Sequence, residues 1–346
     1  MSLNENFTPP FRLYKRGFNY FCRKTGLNQF QFELNTKTTN TLQNEIYSLS
    51  KEYDIAYFPW PFLIDNITTF CPKVATFHDF NYKYFFGAEI FSKRMLEHLE
   101  MNIPLWIKTS VPVVSSYFIK AEIKKFYPFT ENVQVIHLAP LSGFTNVSRE
   151  KANYIITKFG INYKYIIYPT NLSIHKNIGI LSKVIYTLNN NNFDIKLILT
   201  GSDTEKIIGK ANETGIERGA SCFDILGLGY VSDEEMDSLI QCSEIVISTS
   251  KYEAGCGPRI DAWRRGVPVA MSDIPSFKEH INVLNVRAIF FDIFNADDIT
   301  EKLEFMLNNY DDMLKEAKIS QENILKYTWE ITARKYYQIF SDTIKK

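Results

Sequence analysis

STSKYEAGCGPRIDAWRRGVPVAMSDIPSFKEH, residues 248–280, holds a strand end, a glycine-containing loop, a helix and a second strand within 33 residues. It begins in the apolar run EIVIST (244–249), which reads as a buried strand. Gly255 and Gly257 lie in the loop, and Pro258 falls where a helix takes its first turn. Strand, loop and helix in this order form the βα junction of an α/β sheet, and such sheets bind ligands at their carboxyl ends. The loop delivers Glu253 to that edge. The backbone amides of Gly255, Cys256 and Gly257, with the helix dipole behind them, make an anion site suited to a diphosphate. Asp261 follows Glu253 by eight residues, one turn into the helix and facing the same crevice. Alone, this acidic pair carries little, because 39 of 346 residues are Asp or Glu. It gains weight from the Gly-x-Gly-Pro between its members and from the strand opening at Gly266-Val267-Pro268-Val269.

Around this stretch, short apolar runs alternate with helix-length segments. Strands are expected at 164–168, 195–200, 222–226, 244–249, 267–271 and 287–291. Helices are expected near 176–190, 203–214, 232–242, 258–265, 275–281 and 296–309. That rhythm predicts a parallel, doubly wound sheet. Ser232 before Asp233-Glu234-Glu235 is an N-cap signal, and Asn295 or Asp297 starts the next helix. The first half is less regular but again α/β, with strands at 54–58, 73–77, 111–115 and 132–137 and helices at 38–51, 88–101 and 116–126. The polar segment 139–152 separates the halves. The expected organisation is a first lobe over 1–145, a second over 146–320, and terminal helices over 321–346 that pack back toward the first lobe.

With 45% hydrophobic and 23% charged residues, the composition is that of a soluble globular protein. Lys+Arg is 39 against 39 Asp+Glu, a formal net charge of +0 that argues against a nucleic-acid partner. Five cysteines with no C-x-x-C argue against a zinc site or a disulfide framework and fit a reducing, cytoplasmic setting. The N-terminus shows no signal-peptide pattern. The apolar stretch 102–119 is interrupted by Pro104, Lys108 and Pro112, so it does not read as a membrane span. Segment 11–24 interleaves Arg12, Lys15, Arg16, Arg23 and Lys24 with Phe and Tyr. It reads either as a solvated helix with an aromatic core face or as a patch for peripheral contact with a membrane or an anionic acceptor.

Glu253-AGCGPRI-Asp261 and Gly266-VPVAMSDIPSFKEH resemble the hallmark of the retaining nucleotide-sugar glycosyltransferases of the GT-B fold: Glu, seven residues, Glu, then a Gly-x-Pro-Val strand. That large bacterial group includes many mannosyl- and glucosyltransferases. Here the second acid is Asp. YIIYPTNLSIHKN (165–177) resembles the first strand and loop of the family's donor domain, where a Lys followed by Gly or Asn contacts the diphosphate, and Lys176-Asn177 matches it. The family often carries an Arg about five residues earlier, where this chain has Asn171. The diphosphate charge then rests on Lys176 and the loop amides, with His175 or Arg259 as further cations. Gly201 in LTGSD (199–203) and Tyr230-Val231 in the stretch that meets the base continue the pattern. His78 in ATFHDF resembles the acceptor-lobe histidine that faces the donor sugar.

The resemblance implies a GT-B fold, α/β with two Rossmann-like lobes and a cleft between them. The N-terminal lobe is shortened, because residues 1–53 hold neither the family's Gly-Gly loop nor a clear first strand. It implies transfer of a sugar, mannose being one guess, from a nucleoside diphosphate sugar to a hydroxyl of a growing surface glycan or lipid-linked acceptor, with retention. No resident cofactor and no metal are expected, and the setting is the cytoplasm or the inner face of the membrane. The catalytic residues implied are Glu253, Lys176 and His78. Those holding the donor are Asn171, Gly201, Tyr230, Val231, Gly255, Cys256, Gly257, Pro258 and Asp261. Two other readings stay open: a non-catalytic or assembly subunit, and a sugar-nucleotide epimerase of the same fold. An oxidoreductase is disfavoured, because no G-x-G-x-x-G follows the first strand of either lobe.

Overall fold

The computed structural model describes residues 39–62, 64–85, 92–139, 146–207, 224–255 and 257–345; segment 11–24 and Cys256 lie outside them. The chain divides into two compact units, Met1–Ala139 with Thr328–Lys346, and Pro140–Tyr327.

The first unit contains α1 (Thr39–Leu49), β1 (Ala56–Phe58), β2 (Lys73–Phe77), α2 (Lys93–Thr109), β3 (Val111–Val114), α3 (Tyr117–Phe126) and β4 (Gln134–Val135). The four strands among its described residues are parallel and lie in chain order, β1-β2-β3-β4. Every residue of β2 is buried. Helix α2 runs through Pro104 to Thr109, past the end expected at 101. An internal proline costs about 3 kcal/mol. The same helix buries Leu99, Ile103, Trp106 and Ile107, each worth about 1.5–3 kcal/mol. Trp106 also donates its indole N–H to the Ile64 carbonyl at 3.1 Å. Packing therefore outweighs the break.

The second unit contains α4 (Arg149–Lys158), β5 (Tyr165–Pro169), α5 (Ile180–Asn190), β6 (Lys196–Thr200), β7 (Ile225–Gly227), α6 (Asp233–Cys242) and β8 (Ile245–Ser248). It continues with α7 (Gly257–Arg265), β9 (Val269–Ser272), α8 (Pro275–Leu284), β10 (Ile289–Phe291), α9 (Ala296–Asn308) and α10 (Tyr310–Ile324). The six strands among its described residues are all parallel, in the order β10-β9-β8-β5-β6-β7. Ile166 and Tyr168 of β5 enter one buried cluster, Tyr165 and Ile167 the other. The sheet is thus covered on both faces, which is why its strands read as unbroken apolar runs. Ser232 and Glu235 form a full capping box at α6, and Asn295 caps α9. The segment expected as a helix over 203–214 holds a 3-10 turn at Thr204–Lys206, and residues 208–223 lie outside the described ones.

Helix α4 begins inside the segment read as a polar separator. Ser148 caps it, and Ala152 and Ile155 bury its short apolar stripe. Next to it, Asp237 of α6 accepts from Arg264 at 2.7 Å, from Arg265, and from the Val147 amide at 3.3 Å. The terminal region drawn from 321 divides between the units. Gln321 of α10 donates to the Arg264 carbonyl at 2.8 Å in the second unit. The last helix, α11 (Trp329–Ile344), packs Ala333, Tyr336 and Phe340 against Val74, Val113 and Ile136 of the first. The Tyr336 hydroxyl lies 3.0 Å from Thr76 Oγ1 on β2. Among the described residues no helix is long and apolar enough to cross a membrane.

Candidate active site

In the second unit the chain adds β6 and β7 on one side of β5, then returns to place β8 on the other. The strand order therefore switches between β5 and β8, and the carboxyl ends at such a point are where an open α/β sheet binds its ligand. The loop after β5 is a 3-10 turn, Ile174–Lys176, ended by Asn177 in the left-handed region at φ 53°. It is sewn to the loop after β8. The Lys251 amide donates to the His175 carbonyl at 2.7 Å, and Thr249 Oγ1 donates to the Lys176 carbonyl at 2.9 Å. Ser248, Thr249 and Ser250 are all buried. Their hydroxyls at a strand end are one signal that the motif reading passed over.

These ties bring Lys176 and Glu253 together. Lys176 Nζ donates to Glu253 Oε1 at 2.5 Å, with the two side chains 15% and 16% exposed. Ser250 Oγ donates to the same oxygen at 2.8 Å. The Tyr168 hydroxyl lies 2.8 Å from Ser250 Oγ and also donates to the Lys176 carbonyl at 3.2 Å. Arg259 Nη2 stands 4.0 Å from Oε1. Among the described residues, no hydrogen bond reaches Oε2. Burial pushes the Glu253 carboxyl up, but Lys176, Arg259 and His175 outweigh it and hold it at about 2. Burial, helped by the Lys176 charge, pulls His175 down to about 4, so its imidazole is neutral at pH 7.

The remaining expected positions distribute around this pair. Asn171 Oδ1 accepts from the Ser173 amide at 3.0 Å and so shapes the turn before Lys176. Gly201 ends β6 at φ 119°, where a Cβ would lie 1.9 Å from the Thr170 carbonyl oxygen. Only glycine lets the β5 and β6 ends approach so closely. Tyr230 is 58% exposed, whereas Val231 packs on the buried cluster beneath the sheet. The Gly255 carbonyl accepts from Arg259 at 3.1 Å. Gly257 and Pro258 form the first residues of α7. Asp261 sits mid-helix beside Arg264, whose guanidinium burial pulls down and the Asp261 carboxylate pulls back up. His78 ends β2 in the first unit. It is buried, its Nε2–H donates to the Pro59 carbonyl at 3.0 Å, and its ring lies 5.7 Å from that of Trp60. Burial lowers it to about 4.

Residues that motif reading did not single out are Ser250, Tyr168 and Gly227, the last meeting the Thr204 carbonyl so closely that a Cβ would lie 1.7 Å from it. Their weight comes from strand order, which spacing in the sequence does not show.

Two parallel sheets in separate α/β units, with charged residues gathered at a switch point, are the architecture of the GT-B glycosyltransferases. Residues 155–324 match the family described as Glycosyl transferases group 1. Solved structures agree on the fold. WaaG, a glycosyltransferase involved in lipopolysaccharide biosynthesis, superposes with a TM-score of 0.72 at 12% identity, covering 96% of each chain. HepE of Anabaena, solved in complex with UDP and glucose, gives 0.68 at 14% identity over 94% of this chain and 89% of that one. A glycosyltransferase from Rickettsia africae ESF-5 gives 0.66 at 16% identity over 94% and 88%. No curated protein sequence matches the chain.

Proposed function

We propose that the chain transfers a sugar from a nucleoside diphosphate sugar to a hydroxyl acceptor, with retention, and that the donor seats at the carboxyl edge of β5 and β8. The observation that carries this reading is the Lys176–Glu253 pair, held at 2.5 Å from positions 77 residues apart. An ammonium beside the N-terminus of α7 suits the leaving diphosphate. Oε2 of an ionised Glu253 suits a sugar hydroxyl. Asp261 accepts from the ribose diol, and the Tyr230-Val231 backbone meets the base. Asn171 and Gly201 shape the floor.

In the step itself, the acceptor oxygen bonds to the anomeric carbon on the face from which the diphosphate departs. The anomeric C–O bond breaks, and the acceptor proton passes to the departing phosphate oxygen. The charge that builds there is met by Lys176 and backbone amides, so a divalent metal is not required. HepE in complex with UDP-glucose supports this donor class. WaaG, with its role in lipopolysaccharide biosynthesis, supports a glycan acceptor.

A melting panel of UDP, GDP, ADP and dTDP, with and without EDTA, tests the reading. One nucleotide raises the melting temperature, and EDTA leaves the rise unchanged. NMR of the product reports the anomer. A flat panel, or unchanged transfer by both Lys176→Ala and Glu253→Gln, sinks it. Isomerised sugar nucleotide without acceptor would favour the epimerase, and binding without turnover the assembly subunit.

A further inference from the structure

Arg259 stands two residues before Asp261 on α7 and is 3% exposed. Its guanidinium carbon lies 4.8 Å from the Phe277 ring centroid. Nη2 donates to the Gly255 carbonyl, Nη1 is 3.4 Å from Ser248 Oγ, and Nε is buried without a hydrogen-bond partner among the described residues. A guanidinium remains charged at any pH at which a protein folds. Burying one with an unmet donor costs several kcal/mol, which packing alone does not require of this position. The arginine is clamped on one side by an aromatic ring and on the other by a carbonyl, so it does not present an open fork to a phosphate. Among the described residues it pairs with Glu253, at 4.0 Å.

Lys176 has two anionic clients once a donor is bound: the carboxylate it touches here and the diphosphate. A single ammonium shared between them leaves Glu253 less stabilised in a site that excludes water. Proton uptake there would destroy the acceptor on Oε2. We propose that Arg259 is a positioning residue, a fixed internal counter-cation that keeps Glu253 ionised, with Oε2 turned outward, while Lys176 engages the diphosphate. This rests on the donor reading above. The charged and titratable groups facing Glu253 are Lys176 and His175 from the turn after β5 and Arg259 from α7. Lys251 lies in the same loop, and His280 of α8 comes close behind Gly255.

The test follows the Glu253 carboxyl directly. Protein labelled with 13C at the glutamate side-chain carboxyl is titrated, and the Glu253 signal is identified by its loss in Glu253→Gln. Arg259→Met raises the titration midpoint by at least about one pH unit, and Arg259→Lys returns most of it. With UDP bound, the gap between Arg259→Met and the unchanged protein widens. Arg259→Gln, which keeps a polar head, is the second variant should the Met form unfold, and it titrates like the Met form. An unmoved midpoint in a folded Met or Gln variant overturns the proposal, as does a Lys variant that titrates like Met. The titration needs no turnover, so a missing transferase activity would sink the donor reading while this measurement still decides the role of Arg259. Where turnover is present, the acid limb of kcat moves up with the midpoint and the donor KM changes less than kcat.

Discussion

The two sheets are built from the same kind of strand, yet among the described residues the charged centre sits at the edge of the second. In the second unit strand order reverses between β5 and β8, and the loops that follow them bring Lys176 and Glu253 together. In the first unit the described strands lie in chain order. There the equivalent edge is crowded. The His78 ring is committed to the Pro59 carbonyl, and Ser115 Oγ approaches the His78 carbonyl at 3.5 Å. One edge holds a buried ion pair, the other a buried neutral imidazole. Topology, rather than strand composition, decides where a parallel sheet leaves room for ionic chemistry.

That contrast can be broken most directly by activity. Lys176→Ala and Glu253→Gln are each expected to lower the transfer rate about 10²–10³-fold. His78→Asn, in the first unit, is expected to leave nucleotide binding unchanged. Equal losses at both edges would remove the distinction.

Stability gives the next largest effect. Gly201→Ala forces a methyl to within 1.9 Å of the Thr170 oxygen and is expected to cost about 3 kcal/mol or more, read as a lower denaturant midpoint. Acid sharpens the comparison further. The folded pKa of Glu253 lies at about 2, below the ordinary 4.5. Its stabilisation is therefore complete above pH 4.5 and is lost as the pH falls toward 2. His78 and His175 sit at about 4 against an ordinary 6.5. Below pH 6.5 the unfolded chain binds these protons first, so stability declines from pH 6.5 to 4. Between pH 6.5 and 4 the decline should be shallower in His78→Gln, with His175 still titrating, and the decline below 4.5 should be shallower in Glu253→Gln. The smallest effect belongs to Lys93→Ala, whose ion pair with Glu97 is 4.0 Å long and widely exposed. Less than about 0.5 kcal/mol is expected.

Much of the second unit was legible because both faces of its sheet are buried, so β5, β6, β8 and β9 stand out as apolar runs. The capping residues Ser232 and Asn295 announced their helices for the same local reason. Helix α4 was not legible. Its sequence, REKANYIITK, buries only Ala152 and Ile155 and is polar elsewhere. The length of α2 was hidden by Pro104, since a proline's local cost is visible in sequence while the burial of Trp106 is not. Lys176 and Glu253 could be picked out by motif, but the bond between them depends on β8 lying beside β5, a fact of strand order. Asn171 shows the reverse limit: it occupies the place of a family cation, and what its side chain does for the Ser173 amide emerges only from the turn.

Helix α7 is fastened at both ends. Arg259 ties its first turns to Gly255, and Arg264 and Arg265 tie its last turn to Asp237. A ligand seated against such a helix meets a surface that is already ordered. Little conformational entropy then remains to be lost on binding, and the free energy of each contact is retained as affinity instead of being absorbed by ordering the protein. The same double attachment makes release depend on breaking ligand contacts, because the helix has no looser arrangement to relax into. Cutting the distal tie with Asp237→Asn would then appear in calorimetry as a larger entropic penalty for the nucleotide, at a site no ligand touches.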